Sequence, residues 1–221
     1  AFKPGLVMRW FRDAFCQEEK RIAAESGTSA YDLMDERAAE VPVGAGGMVC
    51  CFSDIMNFIH WTHAAPTFTN FELDPDKYNK YTFYRAILEN TALLVKGHIE
   101  LVREFTGNEP DELVFAGGAS YSDLWAQIVS DVTNKPVRVP VVKEATALGA
   151  AIIAGYGVGI YPSIAEGAHR VVKIEKTFTP DAANHATYEK LYETWRKVYA
   201  AQLGLSEQGI TKSMWSAPGI K

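Results

Sequence analysis

The amino-acid sequence predicts an α/β domain, a mixed sheet flanked by helices, and three observations predict it. Apolar runs at residues 48–52, 112–116 and 137–139 have the length of buried strands. Whole helical stretches separate them, which is the order of layered α/β structure rather than of a bundle or sandwich. The 221 residues are 48% hydrophobic and 22% charged, the balance of an ordinary globular domain with enough chain to bury a core.

Each element follows from local pattern. Trp10, Phe11, Ala14, Phe15, Ile22 and Ala23 recur at helical spacing and predict one helix over 8–26, stopped by Gly27. Ser29 with Asp32 resembles a capping box for a second helix reaching Ala39. Val41-Pro42 ends it, and Gly44-Ala45-Gly46-Gly47 is a turn before the first strand. Residues 54–76 are aromatic-rich and irregular, with a strand expected at 67–73 and a turn at Asp74-Pro75-Asp76. A long helix is expected over 82–105, closed by Thr106-Gly107-Asn108. After the strand at 112–116 come an amphipathic helix at 120–133, a strand at 137–139 and a small-residue helix at 145–155. Ser163 and Glu166 cap a short helix, 171–174 form a strand, and 180–203 form a terminal helix with a surface arm after Leu205.

Composition excludes several classes. A net charge of −5 without a basic stripe argues against a nucleic-acid binder. The apolar stretch 145–160 is too short and glycine-rich to span a bilayer, and no signal peptide opens the sequence. Cys16, Cys50 and Cys51 make no disulfide framework or zinc ribbon, and read as reduced thiols of a cytoplasmic protein. His60 and His63 lack a third ligand at metal-site spacing and read as ordinary histidines. Trp10, Trp61 and Trp125 read as core, while Arg9 and Arg12 with Asp13 and Glu19 read as a solvated charged face. The opening Ala1-Phe2-Lys3-Pro4, without an initiator Met, suggests a piece of a longer polypeptide.

The segment that carries chemistry is Leu113-Val114-Phe115-Ala116-Gly117-Gly118-Ala119-Ser120-Tyr121-Ser122-Asp123-Leu124-Trp125. An apolar strand feeds a glycine pair, and a helix is expected at once. Gly117 and Gly118 hold no side chain between a ligand and the backbone, and helix-terminal N–H groups lie just beyond. Such a corner suits a nucleotide, with a flat base against the glycine peptide and Ser122 or Asp123 near the sugar hydroxyls. The same pair also serves simply as a tight connection.

The run G-G-A-x-x-S-x-L-W-x-Q-I-x-x-D, then P-V-x-V-P, then E-A-T-A-L-G-A-A resembles the C-terminal domain of the FGGY carbohydrate kinases, of the actin and hexokinase superfamily. Residues 4–15, 140–146, 201–205 and 215–219 extend the likeness toward the branch whose substrate is the autoinducer-2 precursor, a dihydroxy-pentanedione of quorum sensing. The resemblance implies a ribonuclease H-like fold, incomplete at its N-terminal edge. It implies an ATP-dependent kinase, with Mg2+, whose nucleotide lies between two domains. This chain (1–221) would be the nucleotide-binding half and the N-terminal substrate domain would lie outside it.

On the same resemblance, Gly117, Gly118 and Ala119 match the adenosine motif and Ser122 falls near the nucleoside. The loop with Lys77, Asn79 and Lys80 borders the phosphates, although it departs from the family's glycine-rich form and also reads as a solvated helix entrance. The helix at 145–155 is expected to pack on the sheet, with Glu144 capping it. No D-G-x-T phosphate loop occurs, so no catalytic residue is expected here, and the chain alone is expected to be inactive. The partners implied are ATP and a small sugar-like substrate, and a homodimer is compatible with them. A pentulose kinase and a noncatalytic interaction domain of the same fold are the alternatives.

Overall fold

The structure, a computed structural model, describes residues 4–52 and 62–216. Its N-terminal region is helical. α1 (Pro4–Phe15) and α2 (Gln17–Ser26) replace the single helix expected over 8–26. The break falls at Cys16, whose φ of −115° and ψ of 50° leave helical space. Two helices can then bury different faces: α1 contributes Val7, Met8 and Phe11 to the core, and α2 buries Glu19. Gly27 ends α2 in the left-handed conformation, as its missing Cβ allows. α3 (Ala30–Ala39) begins at Ser29, whose hydroxyl accepts from the Tyr31 N–H.

β1 (Val49–Cys51) is fully buried and pairs antiparallel with β3 (Thr67–Thr69), shorter than the strand expected there. β2 (Thr62–His63) pairs antiparallel with β7 (Trp215–Ser216). That pairing corrects the reading of the tail as a surface arm: it returns to the body, and the Met214 N–H donates to the His63 carbonyl at 3.0 Å.

α4 (Lys80–Thr106) is the central post. Its first half is buried nearly all round, with polar Arg85, Glu89 and Asn90 among apolar Tyr84, Ala86, Ile87, Leu88, Leu93 and Leu94, because α1, α3, β1 and α5 (Asp123–Thr133) surround it. α8 (Ala182–Glu207) closes the core with Tyr188, Trp195 and Tyr199. The Trp195 indole N–H lies 3.1 Å from the Cys50 carbonyl and 3.0 Å from Asn90 Oδ1, so this buried donor is satisfied. Asp131 on α5 fixes the entrance of α8 by accepting from the Asp181 N–H and the Asn184 amide, both at 2.9 Å.

The three-stranded sheet is mixed. β4 (Leu113–Val114) runs parallel to β5 (Val137–Pro140), which runs antiparallel to β6 (Ile174–Phe178). Two expectations are corrected here. β4 is shorter than 112–116 and not buried, since Val114 is 63% exposed. The last strand lies beyond 171–174, because α7 (Ile164–Val171) runs to Val171. α6 (Ala145–Gly157) does not pack on the sheet as expected; its main neighbour is α7. Tyr161 locks the two helices together, since a Cβ at Gly155 would come within 2.6 Å of its ring. Among the described residues no helix is long and apolar enough to cross a membrane.

Candidate functional site

The glycine corner sits where β4 ends. Gly117 takes φ 82° and ψ −172°, a conformation that essentially only glycine adopts, and its N–H donates to the Lys143 carbonyl at 2.7 Å. The chain does not enter an α-helix at once, as the sequence suggested. A 3-10 turn over Gly118–Tyr121 intervenes, and Ser122 then caps α5 by accepting from the Trp125 N–H at 3.0 Å. The corner therefore presents the backbone of a short turn rather than an uncapped helix end. A Cβ at Gly118 would meet no atom within 4 Å, so that residue faces open space.

That space is a cavity of about 700 Å³, within the roughly 300–1,000 Å³ typical of small-molecule sites. Gly118, Ala119 and Ser122 line it on one side. The opposing wall comes from distant segments: Met8 on α1, Tyr31 and Asp35 on α3, and Tyr84 on α4. Trp125 also lines it, edge-on to Phe115 at 5.9 Å, and its buried Nε1–H has no acceptor among the described residues. Asp35 accepts from the Tyr84 hydroxyl at 2.8 Å and shares the cavity lining with Ser122. Burial pushes the Asp35 carboxyl above its usual range; the nearby Ser122 and Tyr84 hydroxyls oppose that rise, and the charges of Asp32 and Asp123 add to it.

The chemistry of the lining is one-sided. Among the described residues Asp32 and Asp35 are its charged ones, and no lysine or arginine lines it. A polyanion gains nothing there, whereas a flat, neutral, donor-bearing ring finds aromatic faces and acceptors.

The other expected residues have other places. None of Lys77, Asn79 and Lys80 lines the cavity. Asn79 caps α4 by accepting from the Tyr81 N–H at 3.0 Å, and Lys80 pairs with Glu19 at 2.6 Å. Lys77 lies over the Tyr78 ring at 5.0 Å. Asp123, read as a sugar contact, holds Lys176 at 2.7 Å. Glu144 precedes α6 without a side-chain cap, contrary to expectation. Trp10 is 46% exposed rather than core; its ring meets exposed Phe15 edge-on and buried Phe52 at a tilt, at the rim of the core. Glu19 is buried rather than part of a solvated face. His63 is a buried β2 residue, while His60 and Trp61 lie outside the described residues. Among the described residues no three His, Cys, Asp or Glu side chains gather to hold a metal.

Sequence reasoning found the glycine side of the cavity and missed Tyr31, Asp35 and Tyr84. Asp35 follows the fully buried Met34 on α3, and Tyr84 follows the helical pattern of α4, so both look like parts of packed helices. The one available signal was an acidic residue beside the buried face of a helix.

Residues 3–158 match the model of the FGGY family of carbohydrate kinases, C-terminal domain. Relatives named autoinducer-2 kinase are 50% identical over the whole chain: over 220 residues in Escherichia coli (strain K12) and 221 in Klebsiella pneumoniae. The chain spans 42% of the length of each. Among solved structures, the xylulose kinase from Rhodospirillum rubrum is 28% identical with a TM-score of 0.71, over 91% of this chain and 38% of that one. A ligand-bound xylulose kinase from Lactobacillus acidophilus, at 18% identity, shares the fold with the same TM-score over 94% of this chain and 39% of its own.

Proposed function

We propose, from the premise that the chain belongs to the FGGY family of carbohydrate kinases, that it is the nucleotide-binding half of a two-domain kinase. The cavity at the glycine corner takes the adenosine of ATP. The observation that carries this reading is the convergence of Gly118, Ala119 and Ser122 on one cavity whose wall is aromatic and acidic. Gly117 shapes the corner rather than lining it. The triphosphate would leave through the mouth of the cavity, and Mg2+, when bound with it, would supply charge neutralisation to the transfer. No residue of this chain is assigned to the chemical step.

The acceptor is the hydroxyl of a small sugar-like molecule. The 50% identity to autoinducer-2 kinases supports the dihydroxy-pentanedione precursor of that signal over a pentulose. The bare apolar surface of α6 and α7 supports the division into halves. Ile153, Tyr156, Ile160 and Ile164 are 48–64% exposed there, and the remainder of the kinase would cover them.

Two measurements test this. Titration of the 221-residue chain with ATP, followed by amide NMR, should shift the Gly118, Ala119 and Ser122 signals first. A noncatalytic interaction domain would leave them unmoved. Phosphate transfer by a polypeptide that joins this chain to the missing half should favour the dihydroxy-pentanedione over xylulose, and the reverse preference would overturn the substrate.

A further inference from the structure

Asp35 stands out in the cavity because its acceptor capacity is only partly used. An ionised carboxylate offers about four lone-pair sites. Tyr84 takes one at 2.8 Å, leaving capacity on a side chain that lines the cavity beside Ser122. That bond also holds the carboxylate, because its donor comes from α4 while Asp35 itself is on α3. Its position is therefore set before any ligand arrives, as discrimination requires. The surroundings are those of a flat ring: Tyr31, Tyr84 and Trp125 share the lining with it. The flat face of a base can stack on such walls.

We propose, resting on the nucleoside reading above, that Asp35 selects the base by accepting a hydrogen bond from the 6-amino group of a purine. A 6-oxo group places a second acceptor against the carboxylate, leaves both unpaired and is rejected. Tyr84 acts as a positioning residue. Its hydroxyl holds the carboxylate and need not touch the ligand.

The test needs no variant at first. Adenosine, inosine, guanosine, purine riboside and 2′-deoxyadenosine are titrated calorimetrically into the unaltered protein. Adenosine should bind about tenfold or more tighter than inosine and purine riboside, the usual scale of one hydrogen bond to a charged group. 2′-Deoxyadenosine should stay within a few-fold of adenosine. Asp35→Asn should then bring adenosine and inosine within a few-fold of each other, since an amide can turn its N–H toward a 6-oxo group. Equal affinity for adenosine and purine riboside would overturn the proposal. So would tighter binding of guanosine, a loss confined to the 2′-deoxy compound, or a variant that weakens adenosine and inosine alike. No binding of any nucleoside would instead bring down the site reading itself, which separates the two failures.

Discussion

Helices α5 and α6 make the informative contrast in this molecule. α5 carries Asp123, Gln127, Ser130 and Asp131, yet it buries Trp125, Ala126, Ile128, Val129 and Val132. α6 has no charged residue at all and buries only Ile152 and Gly155. Hydrophobicity alone would rank them the other way, since a helix apolar all round normally lies inside. The difference lies in what surrounds them. α4, α8 and β5 enclose α5, whereas α6 has α7 as its main neighbour. An apolar sequence thus states what a helix would bury but not whether this chain contains the cover. The candidate site stands on the covered helix, so its frame is complete even where the fold is bare.

The sharpest way to break that contrast is a pair of matched truncations. Ile128→Ala removes a side chain only 1% exposed, and should cost roughly 2–5 kcal/mol through lost burial and an unfilled cavity. Ile153→Ala removes one that is 57% exposed, and should stay within about 0.5 kcal/mol. Urea unfolding midpoints of the 221-residue chain measure both. Comparable losses would mean that α6 is covered within this chain after all.

A second experiment asks whether the corner beside α5 is a site or only a connection. A Cβ at Gly118 meets nothing, and Gly118 does not have positive φ, so Gly118→Val should fold and project its methyl groups into the cavity. Adenosine affinity should fall by about 1–3 kcal/mol while the unfolding midpoint hardly moves. An unchanged affinity in a folded variant would leave the glycine pair as a turn.

The same contrast explains how much the sequence disclosed. Signals local to a few residues were legible: the caps at Ser29 and Ser163, the stops at Gly27 and Gly107, and the glycine side of the cavity. Properties made by segments far apart were not. Asp35 and Ser122 are neighbours only because α3 and α5 both pack on α4, and no spacing encodes that. Lys80 looked like a phosphate donor because nothing nearby in sequence shows that Glu19, on a separate helix, will claim it. The break at Cys16 was hidden for the same reason, since helical periodicity continues on both sides of it.

Lys80 supplies the finest test, and its sign follows from burial. Burial alone would push the Glu19 carboxyl up, but the hydrogen bonds from Lys80 and Tyr81 outweigh it and hold the group below its ordinary 4.5. A carboxylate with a depressed folded value adds stability that is present above the ordinary value and is lost as pH falls through the folded one. Lys80→Met leaves Glu19, 5% exposed, with Tyr81 as its remaining side-chain donor at 2.6 Å. Because Lys80 is 34% exposed, solvent screens the pair, and the expected loss at neutral pH is only about 1 kcal/mol. That loss should shrink as the pH falls, because Glu19 protonates first in the variant, which has lost a hydrogen bond that holds the carboxyl down, and only at lower pH in the parent. A deficit that stays constant down to acid pH would show that Lys80 matters through its packed methylene stem, as long cationic side chains often do, and not through its charge.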